Sequence, residues 1–165
     1  MLTLQELKNL ENGLYFNKKN LLGKGFGGRV YIINNKYVVK KLSSSFGIKY
    51  FDNGIFNTEL EATIILSFFD VSPKVIYHSK PTEKFRYFVM ERLTYTLADM
   101  LKHKLMTQSH LIKLTKLLVK LNNTNYRHND LHFNNIMWSN YYDDFRVIDW
   151  GKYYIKKKKS KKLNW

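Results

Sequence analysis

An α+β fold with its strands gathered in the first half of the chain is predicted by three features of this sequence. β-branched and aromatic residues flank a glycine cluster over residues 21 to 42, a leucine stripe at helical spacing runs through residues 111 to 121, and two short apolar runs follow around 136–138 and 145–148.

The elements read in order. Thr3-Leu-Gln-Glu6 has the form of a capping box, and Leu7 and Leu10 continue an apolar stripe, so residues 3 to 12 are expected to form a leading helix within an N-terminal segment 1–19. Three antiparallel strands follow around the glycines, with Asn34-Asn35 as the turn before Lys36 to Leu42. Residues 56 to 69 predict a helix that turns Leu60, Ile64, Ile65 and Phe68 to the core and stops before Pro73. Val75 to Tyr77 and Tyr87 to Met90 read as two more strands. Leu111, Leu114, Leu118 and Leu121 place one apolar face on a helix of about four turns. A polar loop over Asn129 to Asn135 and two short strands complete the ordered part, and residues 156–165 are expected to be a mobile basic tail.

Composition narrows the function. The chain has 165 residues, enough for one core, and no cysteine, which excludes disulfides, thiolate zinc sites and thiol nucleophiles. The first ten residues lack a basic start followed by an apolar run, and no stretch approaches the length of a membrane span, so an intracellular protein, cytoplasmic or nuclear, is expected. Formal charge is +15, and removing the lysines of Lys156 to Lys162 still leaves +9. Such a surface attracts polyanions of every kind without selecting one.

Gly23-Lys-Gly-Phe-Gly-Gly28-Arg-Val30 is a G-x-G-x-x-G-x-V pattern between two strands. Glycines let backbone N–H groups approach a phosphate chain closely. A dinucleotide fold needs the glycines to open a helix, and a Walker A loop needs Gly-Lys-Ser/Thr; neither is present. Further on come Lys40 in Tyr37-Val-Val-Lys40, Glu61 on the following helix with Glu59 as its competitor, and Val89-Met-Glu-Arg-Leu93 at a strand end. The most specific segment is His128-Asn-Asp130-Leu-His-Phe-Asn-Asn135, and Val147-Ile-Asp149-Trp-Gly151 follows, with Asp149 nineteen residues after Asp130. An Asx-turn loop would explain the asparagines but not their spacing.

In this order the motifs resemble those of the protein-kinase-like superfamily over about residues 20 to 151. The resemblance implies a two-lobe fold: an antiparallel-sheet N-lobe with one main helix, about 20–93, and a reduced helical C-lobe, about 94–155. It implies ATP and Mg2+ as cofactors and Asp130 as the catalytic carboxylate. Gly23, Gly25, Gly28, Val30, Lys40, Glu61, Met90, Glu91 and Leu93 would contact or position the nucleotide, the last three in the hinge segment with Met90 in the gatekeeper place, and Asn135 and Asp149 would hold the metal. Glu61 is preferred to Glu59 as the partner of Lys40, because Glu61-Ala with apolar residues three and four later matches the family pattern.

Two departures qualify the match. Asn129 stands where the family usually has arginine and His132 where it has lysine, a form more similar to the atypical RIO-type and aminoglycoside-phosphotransferase groups. The chain also ends fourteen residues after Gly151, which leaves no room for an activation segment, so a protein substrate or activating partner is expected to supply what that segment provides. The expected reaction is transfer of the γ-phosphoryl to Ser or Thr of a protein. A small-molecule kinase and a silent binding module on the same fold are the alternatives, with polyanion docking through the lysine run as a further role for the tail.

Overall fold

Thr3 starts the first helix, α1 (Leu4–Glu11), through the reciprocal capping box that the sequence predicts. Its hydroxyl accepts from Glu6 N at 3.2 Å while Thr3 N donates to Glu6 Oε2 at 2.8 Å. The computed structural model describes residues 1–25, 27–43, 48–51, 54–80 and 84–156. The lysine run beyond Lys156 lies outside the described residues, as does Phe26 of the glycine cluster.

The strands that follow are β1 (Leu21–Gly25), β2 (Gly28–Ile32) and β3 (Tyr37–Leu42), then a hairpin of β4 (Ile48–Phe51) and β5 (Gly54–Asn57). Asn34 Oδ1 accepts from Lys36 N and Tyr37 N at 2.8 and 2.9 Å, an Asx turn that closes the β2–β3 connection. Next come α2 (Thr58–Ser67), β6 (Val75–His78) and β7 (Tyr87–Glu91). Strands β1, β2, β3, β7 and β6 form one antiparallel sheet in that order.

Period-two alternation splits this sheet into two faces. Leu10 of α1 packs with Tyr31, Val39, Tyr87 and Val89 on one, while Leu60 of α2 packs with Val38, Phe88 and Met90 on the other. Strand β7, paired on both sides and covered on both faces, is therefore buried along its whole length. Burying Leu10 completely contributes about 1.5–3 kcal/mol, enough to hold an eight-residue helix that would be marginal alone.

The second half contains β8 (Tyr95–Thr96), α3 (Leu97–Lys102), α4 (Gln108–Asn123), β9 (Tyr126–Arg127), β10 (Ile136–Ser139), β11 (Asp144–Val147) and β12 (Tyr154–Ile155). Its small sheets run β11-β10-β8 and β12-β9. A separate core joins Ala62 and Leu66 of α2 to Leu97, Met100, Leu117, Trp138, Phe145 and Trp150. Because α2 feeds both this core and the one under the large sheet, it ties the two halves together. Among the described residues no helix is long and apolar enough to cross a membrane.

Several local expectations are corrected. The α2 helix begins at Thr58, not 56, because residues 54–57 pair as a strand. Phe68, expected inside, is 81% exposed; the buried positions are Glu59, Leu60, Ala62, Thr63 and Leu66. In α4 the inward leucine is Leu117, flanked by Leu114 and Leu121, whereas Leu111 and Leu118 face outward. Leucines on both sides of this helix leave its rotation undetermined by periodicity, and packing against Trp138 and Phe145 sets it: the His110 ring lies edge-on to Trp138 at 4.5 Å. The short helix α3, whose capping box pairs Thr96 with Asp99, is an element the sequence reading missed.

Candidate functional site

Strand parity decides where Lys40 goes. It pairs with Phe88 across the sheet and shares a face with Val38, the face that α2 covers, so its ammonium is carried under the sheet toward that helix. There it meets Glu59 Oε1 in a buried ion pair, and Asp149 Oδ1 at 3.0 Å. Burial alone would push the Lys40 ammonium down, but the pull of Glu59 and Asp149 outweighs it and the net direction is up: this lysine is held charged. Burial, with Asp149 as a like-charged neighbour, pushes the Glu59 carboxyl up, and the Lys40 ammonium on its Oε1 opposes this only in part.

The carboxylate beside Lys40 is thus Glu59, not Glu61. Glu59, Ala62, Thr63 and Leu66 fall at i, i+3, i+4 and i+7 and make up the inward stripe of α2. Glu61 lies about 200° around the helix from Glu59 and receives instead the Tyr153 hydroxyl at 3.4 Å. Burial first, and Glu61 second, push that phenol up to about 12. The legible signal was this mixed polar stripe, which the stronger isoleucines beside it concealed.

Asp149 reaches Lys40 from the end of β11 because three contacts lock the two polar loops together. His128 Nε2 donates to Ile148 O at 2.7 Å, Ile148 N donates to Asn135 O at 2.9 Å, and the His128 ring lies edge-on to buried Trp150 at 4.6 Å. Burial lowers the His128 pKa despite the bond to Ile148, which keeps the imidazole neutral with Nε2 as its donor. Asp149 itself takes the left-handed conformation, φ 65° and ψ 56°, and leads into a 3-10 turn, Trp150–Lys152.

Lys40, Glu59, Ile148 and Asp149 line one cavity of about 170 Å3 together with Gly23, Gly25, Gly28, Val30, Met90 and Asn135. An apolar cavity of about 210 Å3 adjoins it, sharing Gly23, Val30 and Met90 and adding Val38, Leu93 and Met137. The first cavity carries the Lys40, Glu59 and Asp149 charges, and the second is lined almost wholly by apolar groups. At the strand end, Glu91 N donates to Lys74 O and Arg92 N to Lys36 O, at 3.1 and 2.8 Å. Glu91 also lines the apolar cavity, and its Oε1 lies 3.5 Å from Arg146 Nε.

The glycines are not equivalent. A Cβ on Gly28, which sits at φ 148°, would lie 2.2 Å from Lys41 O, so the sheet itself requires glycine there. At Gly23 and Gly25 a Cβ would meet nothing within 4 Å. No neighbouring protein atom demands glycine at those two places, both of which line the cavity.

Asp130 lines neither cavity. Its loop is joined to the first cavity by Asn135, whose Nδ2 donates to Asp130 O at 3.0 Å and lies 3.1 Å from His132 Nε2. His132 packs within the loop, where its Nδ1 accepts from Asn134 N at 3.3 Å. Asp130 Oδ2 accepts from Lys152 Nζ at 2.9 Å, and that bond and charge hold its carboxyl below the usual range. Lys152 was not anticipated from the sequence; it follows Gly151 and carries no motif of its own.

Asn135 and Asp149 suit a magnesium ion, which takes one or two protein oxygens and completes its shell with phosphate and water. The amide nitrogen of Asn135 is engaged by Asp130 O and His132, which leaves Oδ1 as its lone-pair donor. Among the described residues no cluster of three or more His, Cys, Asp or Glu residues could hold a metal unaided.

No protein-family model matches this chain, and no curated protein matches it in sequence.

Proposed function

We propose that this chain is an ATP- and Mg2+-dependent phosphotransferase built on a kinase-like two-lobe plan, moving the γ-phosphoryl to a hydroxyl, with Ser or Thr of a protein as acceptor. The observation that carries this reading is the grouping of Lys40, Glu59 and Asp149 in one cavity with Gly23, Gly25 and Asn135. The large sheet with α2 would be one lobe and the α4-containing half the other.

Each residue then has a part. Lys40, kept charged by Glu59, neutralises and fixes phosphate oxygens; Val30, Met90 and Leu93 enclose the base. The metal, held by Asn135 and Asp149, would supply charge for the phosphates. Asp130 orients the acceptor hydroxyl and takes its proton as the new oxygen–phosphorus bond forms and the bond to ADP breaks. A carboxylate held below its usual range is a weak base, so orientation is its larger contribution.

The test is incubation of the purified protein with radiolabelled ATP, magnesium and a lysate. Wild type is expected to label acceptors, Asp149→Asn to lose both labelling and magnesium-dependent ATP binding, and Asp130→Asn to lose labelling alone. ATP binding without labelling in the wild type would reclassify the chain as a binding module.

A further inference from the structure

On the opposite face of the large sheet from Lys40, three cations stand in a row across adjacent strands. Lys24 of β1 is paired with Arg29 of β2, and Arg29 with Lys41 of β3. Like charges directly opposite one another destabilise a sheet, and here the row is extended by Lys84 and Arg86. All five line one cavity of about 530 Å3, whose described lining includes no carboxylate. Among the described residues none of the five forms an ion pair, although Lys40, Lys113, Lys120, Arg146 and Lys152 all do.

Three of the five are tethered to neighbouring groups, while Lys24 and Arg29 are exposed. Lys41 Nζ sits over the rings of Phe16 and Phe85, 5.0 and 4.5 Å from their centroids, and Lys84 Nζ lies 5.3 Å from that of Phe85. Arg86 NH1 donates to Lys80 O at 3.1 Å. A concavity with uncompensated charge of one sign focuses its field on whatever enters.

We infer that this cavity is a second anion site, distinct from the Lys40 cleft, and that its ligand is a compact polyphosphate. Multiple phosphates answer a cluster of five cations that a single carboxylate would leave mostly unpaired. A nucleic-acid strand is disfavoured because such strands are gripped by open aromatic platforms, and Phe85 is already covered by Lys41 and Lys84. The inference does not depend on the phosphotransferase reading.

The experiment is calorimetric titration of the full chain with inorganic tripolyphosphate, without magnesium, at several salt concentrations. Lys24, Gly25 and Gly28 also line the cleft, so the diagnostic variant is Arg29→Gln/Lys84→Gln/Arg86→Gln. It is expected to weaken binding at least tenfold, with a shallower salt dependence, while Lys8→Gln/Lys102→Gln/Lys116→Gln, which removes as many charges from exposed lysines outside both cavities, binds like wild type. Arg29→Lys/Arg86→Lys should retain most of the affinity, and a thermal melt verifies that each variant is folded. Unchanged binding by the folded Arg29/Lys84/Arg86 variant, or an equal loss in the Lys8/Lys102/Lys116 variant, overturns the site. Sulfate binding as tightly as tripolyphosphate overturns the polyphosphate assignment. So does a single-stranded RNA 12-mer that binds tenfold tighter with the same variant dependence.

Discussion

Lys152 Nζ donates to Asp130 Oδ2 at 2.9 Å, so a lysine just beyond the D-W-G turn lies against the carboxylate of the polar loop twenty-two residues before it. The bond and the charge together lower the Asp130 pKa and raise that of Lys152. In the proposed reaction Asp130 serves only when ionised, and a lowered pKa keeps it ionised further into acid. Lys152→Ala is therefore expected to move the acidic limb of the activity profile to higher pH, with ATP affinity unchanged by calorimetry. An identical profile in the variant would remove Lys152 from the mechanism.

Glu59 and Glu61 are separable by substitution. Glu59→Ala leaves a buried ammonium with one partner fewer and is expected to cost about 3 kcal/mol in urea unfolding, near the low end for breaking a buried pair because Asp149 remains. Glu61→Ala, which loses only a long contact with Tyr153, should cost about 0.5 kcal/mol or less. A double-mutant cycle with Lys40→Met should show coupling for Glu59 and none for Glu61; the reverse pattern would refute the assignment.

Glu91 gives the protein a stability term that falls with rising pH. Burial, only partly opposed by Arg146, pushes its carboxyl from the ordinary 4.5 up to about 7. Between those values the folded chain binds more protons than the unfolded one, so the contribution is present below about 4.5 and lost as pH rises through about 7. Glu91→Gln should gain on wild type across that window by on the order of 2–3 kcal/mol, read from denaturant midpoints at pH 5 and 7.5. A constant difference between the two proteins would contradict the buried, poorly paired state of this carboxylate.

The glycines yield opposite outcomes for one substitution. Gly28→Ala meets Lys41 O and a positive φ and is expected to destabilise the fold by at least about 1–3 kcal/mol. Gly23→Ala has open space and should leave the melting temperature unchanged or slightly raised while weakening ATP binding. Equal ATP affinity in wild type and Gly23→Ala would show that β1 does not close over the ligand.

The sequence by itself determined the elements whose causes are local. The Thr3–Glu6 capping box, the Asn34 turn, the three strands around the glycines and the extent of α4 follow from propensity, capping and periodicity within a few residues of each other. The spacing from His128 to Asn135 and on to Asp149 also marked the residues that converge, because their order along the chain is itself the signal. Only the tertiary structure decided which way each helix faces. Glu59 rather than Glu61 meets Lys40, and Leu117 rather than Leu118 enters the core, because two apolar stripes compete on each helix and only the partner surface selects one. The same holds for Lys152 beside Asp130 and for the row of Lys24, Arg29 and Lys41: distance through the fold sets the energy of a charge pair, and strand register and turn geometry set that distance.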